Sequence, residues 1–190
     1  MKIRLAAPLQ PDSIVDGEGI RTVIWTQGCK HNCKDCHNPG THDFTGGFET
    51  SVETLKQQIL DLKNQDGITL SGGDPLFQSK ACAEIANFCK MNKLNVWCYT
   101  GFTFEELLEK SENDKDVEKL LKNVDVLIDG KFEIENKNLN LKFRGSSNQR
   151  VLDLHESLKE KKPIEIKKYK QMKKFEGYDN KENEQNGIFI

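Results

Sequence analysis

From residue 21 to residue 129 the chain alternates short β-branched or aromatic runs with stretches of helical period. RTVIWT at 21–26 reads as a strand. A Gly46-Gly47 turn comes next, and then Val52, Leu55, Ile59 and Leu62 recur at helical spacing behind a capping box formed by Thr50 and Glu53. Residues 67–70 are the next strand, 79–91 the next helix and 94–100 the third strand. Thr103 and Glu106 make a second capping box and open a helix through Lys110. Residues 116–123 carry Val117, Leu120 and Leu121 on one helical side, and VDVLID at 124–129 is a fourth strand. This alternation predicts βαβ units and a parallel sheet with right-handed crossovers. Such a sheet gathers the C-terminal ends of its strands on one edge, where parallel α/β folds bind ligands. The segments just beyond the strands are chemically distinctive: a cysteine loop after the first, SGGDP after the second, YTGF after the third and DGKF after the fourth.

The 190 residues suit one domain, with a core at 1–155 and a lysine-rich, polar tail at 156–190. The tail reads as solvated and flexible or as a short added element, its closing IFI able to return as a strand. With 28 basic and 30 acidic residues, the chain has no general attraction for nucleic acid or an anionic membrane. No apolar run approaches the roughly 20 residues that span a bilayer, and MKIRLAAPLQPDS lacks a secretory apolar stretch. Cytoplasmic residence is therefore expected.

Six cysteines divide into two groups. Cys82 and Cys89 lie in the helical ACAEIANFCKM and Cys98 in the strand NVWCYT, where free cysteine is expected as a small buried residue. Cys29, Cys33 and Cys36 instead crowd into CKHNCKDC among Lys, His, Asn and Asp, a polar loop. Thiolates select zinc, copper(I) or iron–sulfur clusters. Zinc would take a fourth ligand, with His31, His37 and His42 within reach in sequence. An electron-transfer iron–sulfur cluster normally uses four cysteines. Three cysteines on a four-iron cluster leave one iron open, and an open metal position is where a substrate binds.

The spacing C-x3-C-x2-C resembles the hallmark of the radical S-adenosylmethionine (SAM) superfamily. The wider stretch DGEGIRTVIWTQGCKHNCKDCHNPGTHDF resembles glycyl-radical-enzyme activating proteins. LSGGDPL, YTGF, DVLIDGKF and RGSSNQRV, in order between residues 12 and 154, are similar to the branch that activates anaerobic ribonucleoside-triphosphate reductases rather than formate lyase. The resemblance implies a radical SAM oxidoreductase holding a [4Fe-4S] cluster. SAM would chelate the open iron through its amino and carboxylate groups. Reductive cleavage would give methionine and a 5′-deoxyadenosyl radical, which takes a hydrogen from a glycine of the reductase catalytic subunit. A low-potential donor such as flavodoxin would supply the electron.

Carried onto this chain, the resemblance makes Cys29, Cys33 and Cys36 the cluster ligands and sets Asp35, Cys36 and His37 beside the adenine. Asp35 stands where many members have an aromatic residue. Gly72, Gly73 and Asp74 would meet the SAM amino group, and Asp129 and Lys131 its carboxylate or ribose. Arg21 would contact the partner, neutralise the cluster region or lie at the surface, and Glu18 replaces a proline common in DGPGIR. No protein general base is needed. A core of this size implies an incomplete, open parallel (β/α) barrel, since a complete eight-unit barrel takes ~200 residues or more. The non-catalytic alternative, a zinc or electron-transfer module, predicts a fourth protein ligand and no SAM cleavage.

Overall fold

A computed structural model describes residues 1–170. Its strands in chain order are β1 (Lys2–Leu5), β2 (Gln10–Ser13), β3 (Arg21–Thr26), β4 (Phe48–Ser51), β5 (Gly67–Gly72), β6 (Asn95–Tyr99), β7 (Val126–Asp129) and β8 (Arg150–Asp153). The helices are α1 (Val52–Asp61), α2 (Ser79–Met91), α3 (Phe104–Asn113), α4 (Lys115–Asn123), α5 (Leu154–Glu160) and α6 (Lys167–Lys170). They build one sheet in the order β4-β1-β3-β5-β6-β7-β8, with β2 also pairing with β3.

The middle of the sheet, β3-β5-β6-β7, is parallel, as the alternation predicts. Its flanks are antiparallel: β1 pairs with β3 and β4, β2 with β3, and β8 with β7. The fold is therefore a mixed α/β sheet, mostly parallel at its centre, rather than a purely parallel one. Antiparallel neighbours need no helical crossover, and no α-helix separates β7 from β8 or β1 from β3.

Register explains the two faces. Ile24, Ile68, Leu70, Val96, Cys98, Leu127 and Leu152 point to the helical side and join the apolar residues of α1–α4 in the main core. Cys82, Cys89 and Cys98 are buried there, as expected of small apolar residues. Burying each Leu or Ile contributes roughly 1.5–3 kcal/mol relative to leaving it exposed. The other face is mixed. Trp97, Val126, Ile128 and Val151 form a smaller cluster under Tyr169 of α6. Residues 156–170 thus belong to the packed body, and the expected 155/156 boundary falls inside α5. The rest of the expected tail, with its closing IFI, lies outside the described residues.

Helix starts follow their caps. Thr103 and Glu106 form the reciprocal box at α3. At α1 the cap is Ser51, whose hydroxyl accepts from Thr54 N, while Thr50 pairs with Ile3 in the sheet. Ser51 rather than Thr50 takes the role because β4 runs directly into the helix. Among the described residues no helix is long and apolar enough to cross a membrane.

Candidate active site at the cysteine loop

The loop leaving β3 is pinned before it reaches its first cysteine. Gln27 is buried, and its Nε2 donates to the carbonyls of Gly40 (3.1 Å) and Asp43 (2.6 Å). Gly28 N donates to Thr41 O and Cys29 N to His42 O, so the segment doubles back on residues 41–42. Gly28 has φ +101°, and a Cβ there would lie 2.6 Å from the Phe44 ring. Within CKHNCKDC, Asn32 (φ +50°) and Asp35 (φ +55°) adopt the left-handed conformation, which Asn and Asp tolerate better than most residues. This gives Asp35 a backbone reason to stand before Cys36.

The Asn38 amide donates to Cys36 Sγ at 3.4 Å, and the backbone at His31 and at Phe132 favours the thiolates of Cys29 and Cys33. Burial raises the Cys29 thiol to about 11, against the pull of that backbone, and also raises Cys33. Burial thus disfavours free thiolates at Cys29 and Cys33. Amide donors to sulfur are among the means by which a protein tunes an iron–sulfur cluster. Among the described residues no three His, Cys, Asp or Glu side chains are grouped to hold a single metal ion. The His31 ring is engaged with Asp74 through Nε2, and the His37 ring lies 4.7 Å from that of Phe132. Three free thiols on one loop have the chemistry of a cluster whose ligands sit on different irons.

The loops after β5, β6 and β7 converge on the cysteines, as the sequence predicts. Gly73 N donates to Thr26 O (2.7 Å) and Asp74 N to Gly28 O (3.0 Å). A Cβ at Gly72 (φ +103°) would stand 2.4 Å from Thr26 O. The close approach that these glycines permit is to the start of the cysteine loop. Asp74 is buried, and its carboxylate accepts from Leu76 N, Thr100 Oγ1, Gly101 N and His31 Nε2. From the DGKF loop, Phe132 reaches both Cys33 and His37.

Other charged residues lie elsewhere. Asp129 is buried, accepting from Phe104 N and Arg150, which also pairs with Glu105. Lys131 is exposed, close enough to Cys33 to favour its thiolate. Arg21 is a correction: it starts β3, at the end of the strand remote from the cysteines. It is fully buried, donating to Thr69 Oγ1, Ile68 O, Glu18 O and Asn95. Burial pushes its guanidinium down to about 10. Glu18 accepts from Tyr169 Oη (2.7 Å) and Lys168 Nζ (2.6 Å), tying this turn to α6.

A cavity of about 450 Å³ opens on the sheet face opposite the main helices. Trp25, Ser71 and Tyr99 line it from β3, β5 and β6, and His37 and Asn38 bring the cysteine loop to its wall. Val15 and Leu139, both highly exposed, also line it. Cavities of similar size beside α3 and beside β4 include no residue of the 29–38 stretch. The sequence reasoning missed Trp25, Ser71, Tyr99 and Asn38. The signal was the two-residue period: each of the three strand residues shares the face opposite Ile24, Leu70 or Cys98.

Similar sequences occur in known proteins. Residues 15–152 match the family described as "4Fe-4S single cluster domain". A protein of Pasteurella multocida is 36% identical over 148 residues, covering 73% of this chain and 90% of its own. Relatives from Enterobacteria phage T4 (37% over 152 residues; 75% and 90%) and Escherichia coli K12 (34% over 151 residues; 74% and 93%) match similarly. All three are named "Anaerobic ribonucleoside-triphosphate reductase-activating protein". Among solved structures, QueE from Escherichia coli superposes with a TM-score of 0.44 at 15% identity over 54% of each chain, a distance at which neither fold detail nor activity transfers.

Proposed function

Because the chain belongs to the family of anaerobic ribonucleoside-triphosphate reductase-activating proteins, we propose that it activates such a reductase by generating a glycyl radical on its catalytic subunit. The observation that carries the reading is one juxtaposition. A loop presenting three thiols borders, through His37 and Asn38, a cavity wide enough for a nucleotide on the face opposite the helices.

In this reading Cys29, Cys33 and Cys36 hold three irons of a [4Fe-4S] cluster. When bound, the reduced cluster supplies the electron that splits the C5′–S bond of SAM into methionine and the 5′-deoxyadenosyl radical that takes hydrogen from the partner's glycine. The protein supplies orientation and exclusion of water. His37 and Asn38, which line the cavity, would border the adenine, with Asp35 and Cys36 contributing backbone. Gly72 and Gly73 keep the turn next to the cluster loop tight enough for its backbone to meet the SAM ammonium. Trp25 and Tyr99 give the pocket apolar walls. Among the described residues the sheet does not close on itself: its order ends at β4 on one side and at β8, bridged by residues 164–166, on the other, which suits the open barrel form of a radical SAM enzyme that admits a loop of another protein. A flavodoxin-like donor and a cytoplasmic setting complete the reading, supported by six free cysteines.

Anaerobic reconstitution tests it. The expected result is about four irons per chain, a dithionite-reducible cluster and 5′-deoxyadenosine from SAM. Cys29→Ala, Cys33→Ala and Cys36→Ala each lose cluster-dependent cleavage, whereas Cys82→Ala keeps its iron. A colourless zinc protein, or a reduced cluster that leaves SAM intact, overturns the reading.

A further inference from the structure

Between the first two cysteines, Lys30 and Asn32 are exposed while His31 turns inward. Its side chain is 8% exposed. Nε2 lies 2.7 Å from Asp74 Oδ2, and since a carboxylate has no hydrogen to give, the imidazole donates. The ring packs edge-on against Phe102 at 4.6 Å and tilted against Phe77 at 5.6 Å. A Cβ at Gly101 would come within 2.5 Å of it. The imidazole is therefore wedged between the loops that come after β5 and β6.

Asp74 is the other half of the joint. Oδ2 accepts from Thr100 Oγ1 (2.8 Å) and Gly101 N (2.9 Å) besides His31, and Oδ1 accepts from Leu76 N (2.9 Å). Four protein donors thus converge on this carboxylate, three on Oδ2 and one on Oδ1. This carboxylate is 1% exposed. It is built to hold protein segments together, not to meet a dissociating ammonium.

We propose that His31 is a positioning residue: its hydrogen bond to Asp74 fixes the stretch bearing Cys29 and Cys33 to the ends of β5 and β6. Asp74 then serves the cluster through His31 rather than by touching SAM. The inference rests on the radical SAM reading. It concerns how the ligand loop is held before SAM arrives, so its signature is present without SAM.

The test monitors cluster iron passing to a chelator from the anaerobically reconstituted full chain, with no SAM present. His31→Phe keeps an aromatic ring in the wedge and removes the donor; His31→Gln restores an N–H that reaches Asp74. Loss of a partner orienting a metal ligand typically costs 10–100-fold in affinity. His31→Phe is therefore expected to release iron about tenfold faster or more, with His31→Gln near the wild-type rate. Asp74→Ala accelerates release similarly, and the His31→Phe, Asp74→Ala double variant releases no faster than the singles. If the larger ring prevents folding, as circular dichroism of the apoprotein reports, His31→Leu takes its place. A wild-type rate in His31→Phe, or equal rates in His31→Phe and His31→Gln, overturns the role of the bond. So does an Asp74→Ala variant that releases iron normally yet binds SAM weakly. Wild-type protein that takes up no four-iron cluster removes the parent reading instead, and this inference with it.

Discussion

A Cβ placed on Gly73 would stand 2.4 Å from the carbonyl oxygen of Gly28. The glycine turn and the cysteine loop thus meet backbone on backbone, and the contact leaves no flexible side chain to yield. Gly73→Ala is expected to destabilise the apoprotein by roughly 1–3 kcal/mol, the usual cost of overpacking, and to lower iron uptake. Urea unfolding with a parallel iron assay measures both. A variant with unchanged midpoint and full iron content would show that the two loops are not locked together.

The cavity beside His37 makes a separate claim, about SAM rather than the cluster. Ser71 lines it, and its side chain makes way for a ligand where a larger one would not. Ser71→Phe should weaken SAM binding at least about tenfold, or ~1.4 kcal/mol, with iron content unchanged. Calorimetric titration of the reconstituted variant decides the matter. Unaltered affinity would place the nucleotide elsewhere.

Asp125 gives a pH dependence remote from the site. Burial opposes its ionisation, but Lys90, the Val96 amide and His155 outweigh it and hold the carboxyl below its usual range. A depressed folded value means that the stabilisation is complete above the unfolded value of about 3.9. It is lost as pH falls through the folded one. Asp125→Asn should therefore cost roughly 1.5–3 kcal/mol near neutrality, as for hydrogen bonds to charged groups. The gap between variant and wild type should hold above the unfolded value and shrink as pH falls below about 3.9, through the lowered folded value. Thermal melts across that range test it; a constant gap contradicts the assignment.

The elements legible in the sequence are those whose signals are local. The stretch 79–91 reads as a helix from its own spacing, and α2 spans Ser79–Met91. The four distinctive loops share an edge because parallel strands leave them no other place. KIRL, FETS and RVLD are too short for a two-residue period to declare itself, and these antiparallel strands turned a parallel sheet into a mixed one. The charged residues were harder for a different reason. Arg21 finds Asn95, and Asp129 finds Arg150, across strands far apart in the chain. Proximity to a motif does not reveal which way such a side chain turns. His31 was visible as a residue within the motif, but its partner Asp74 lies on another loop, and only the folded sheet edge joins them.

The most direct test of the account is electron paramagnetic resonance after anaerobic incubation of the reconstituted protein with SAM, a reductant and the anaerobic ribonucleoside-triphosphate reductase. The prediction is a glycyl-radical doublet on the reductase that requires all three of Cys29, Cys33 and Cys36. A fully reduced cluster with SAM present and no doublet, or a doublet that survives loss of any one of those cysteines, would contradict it.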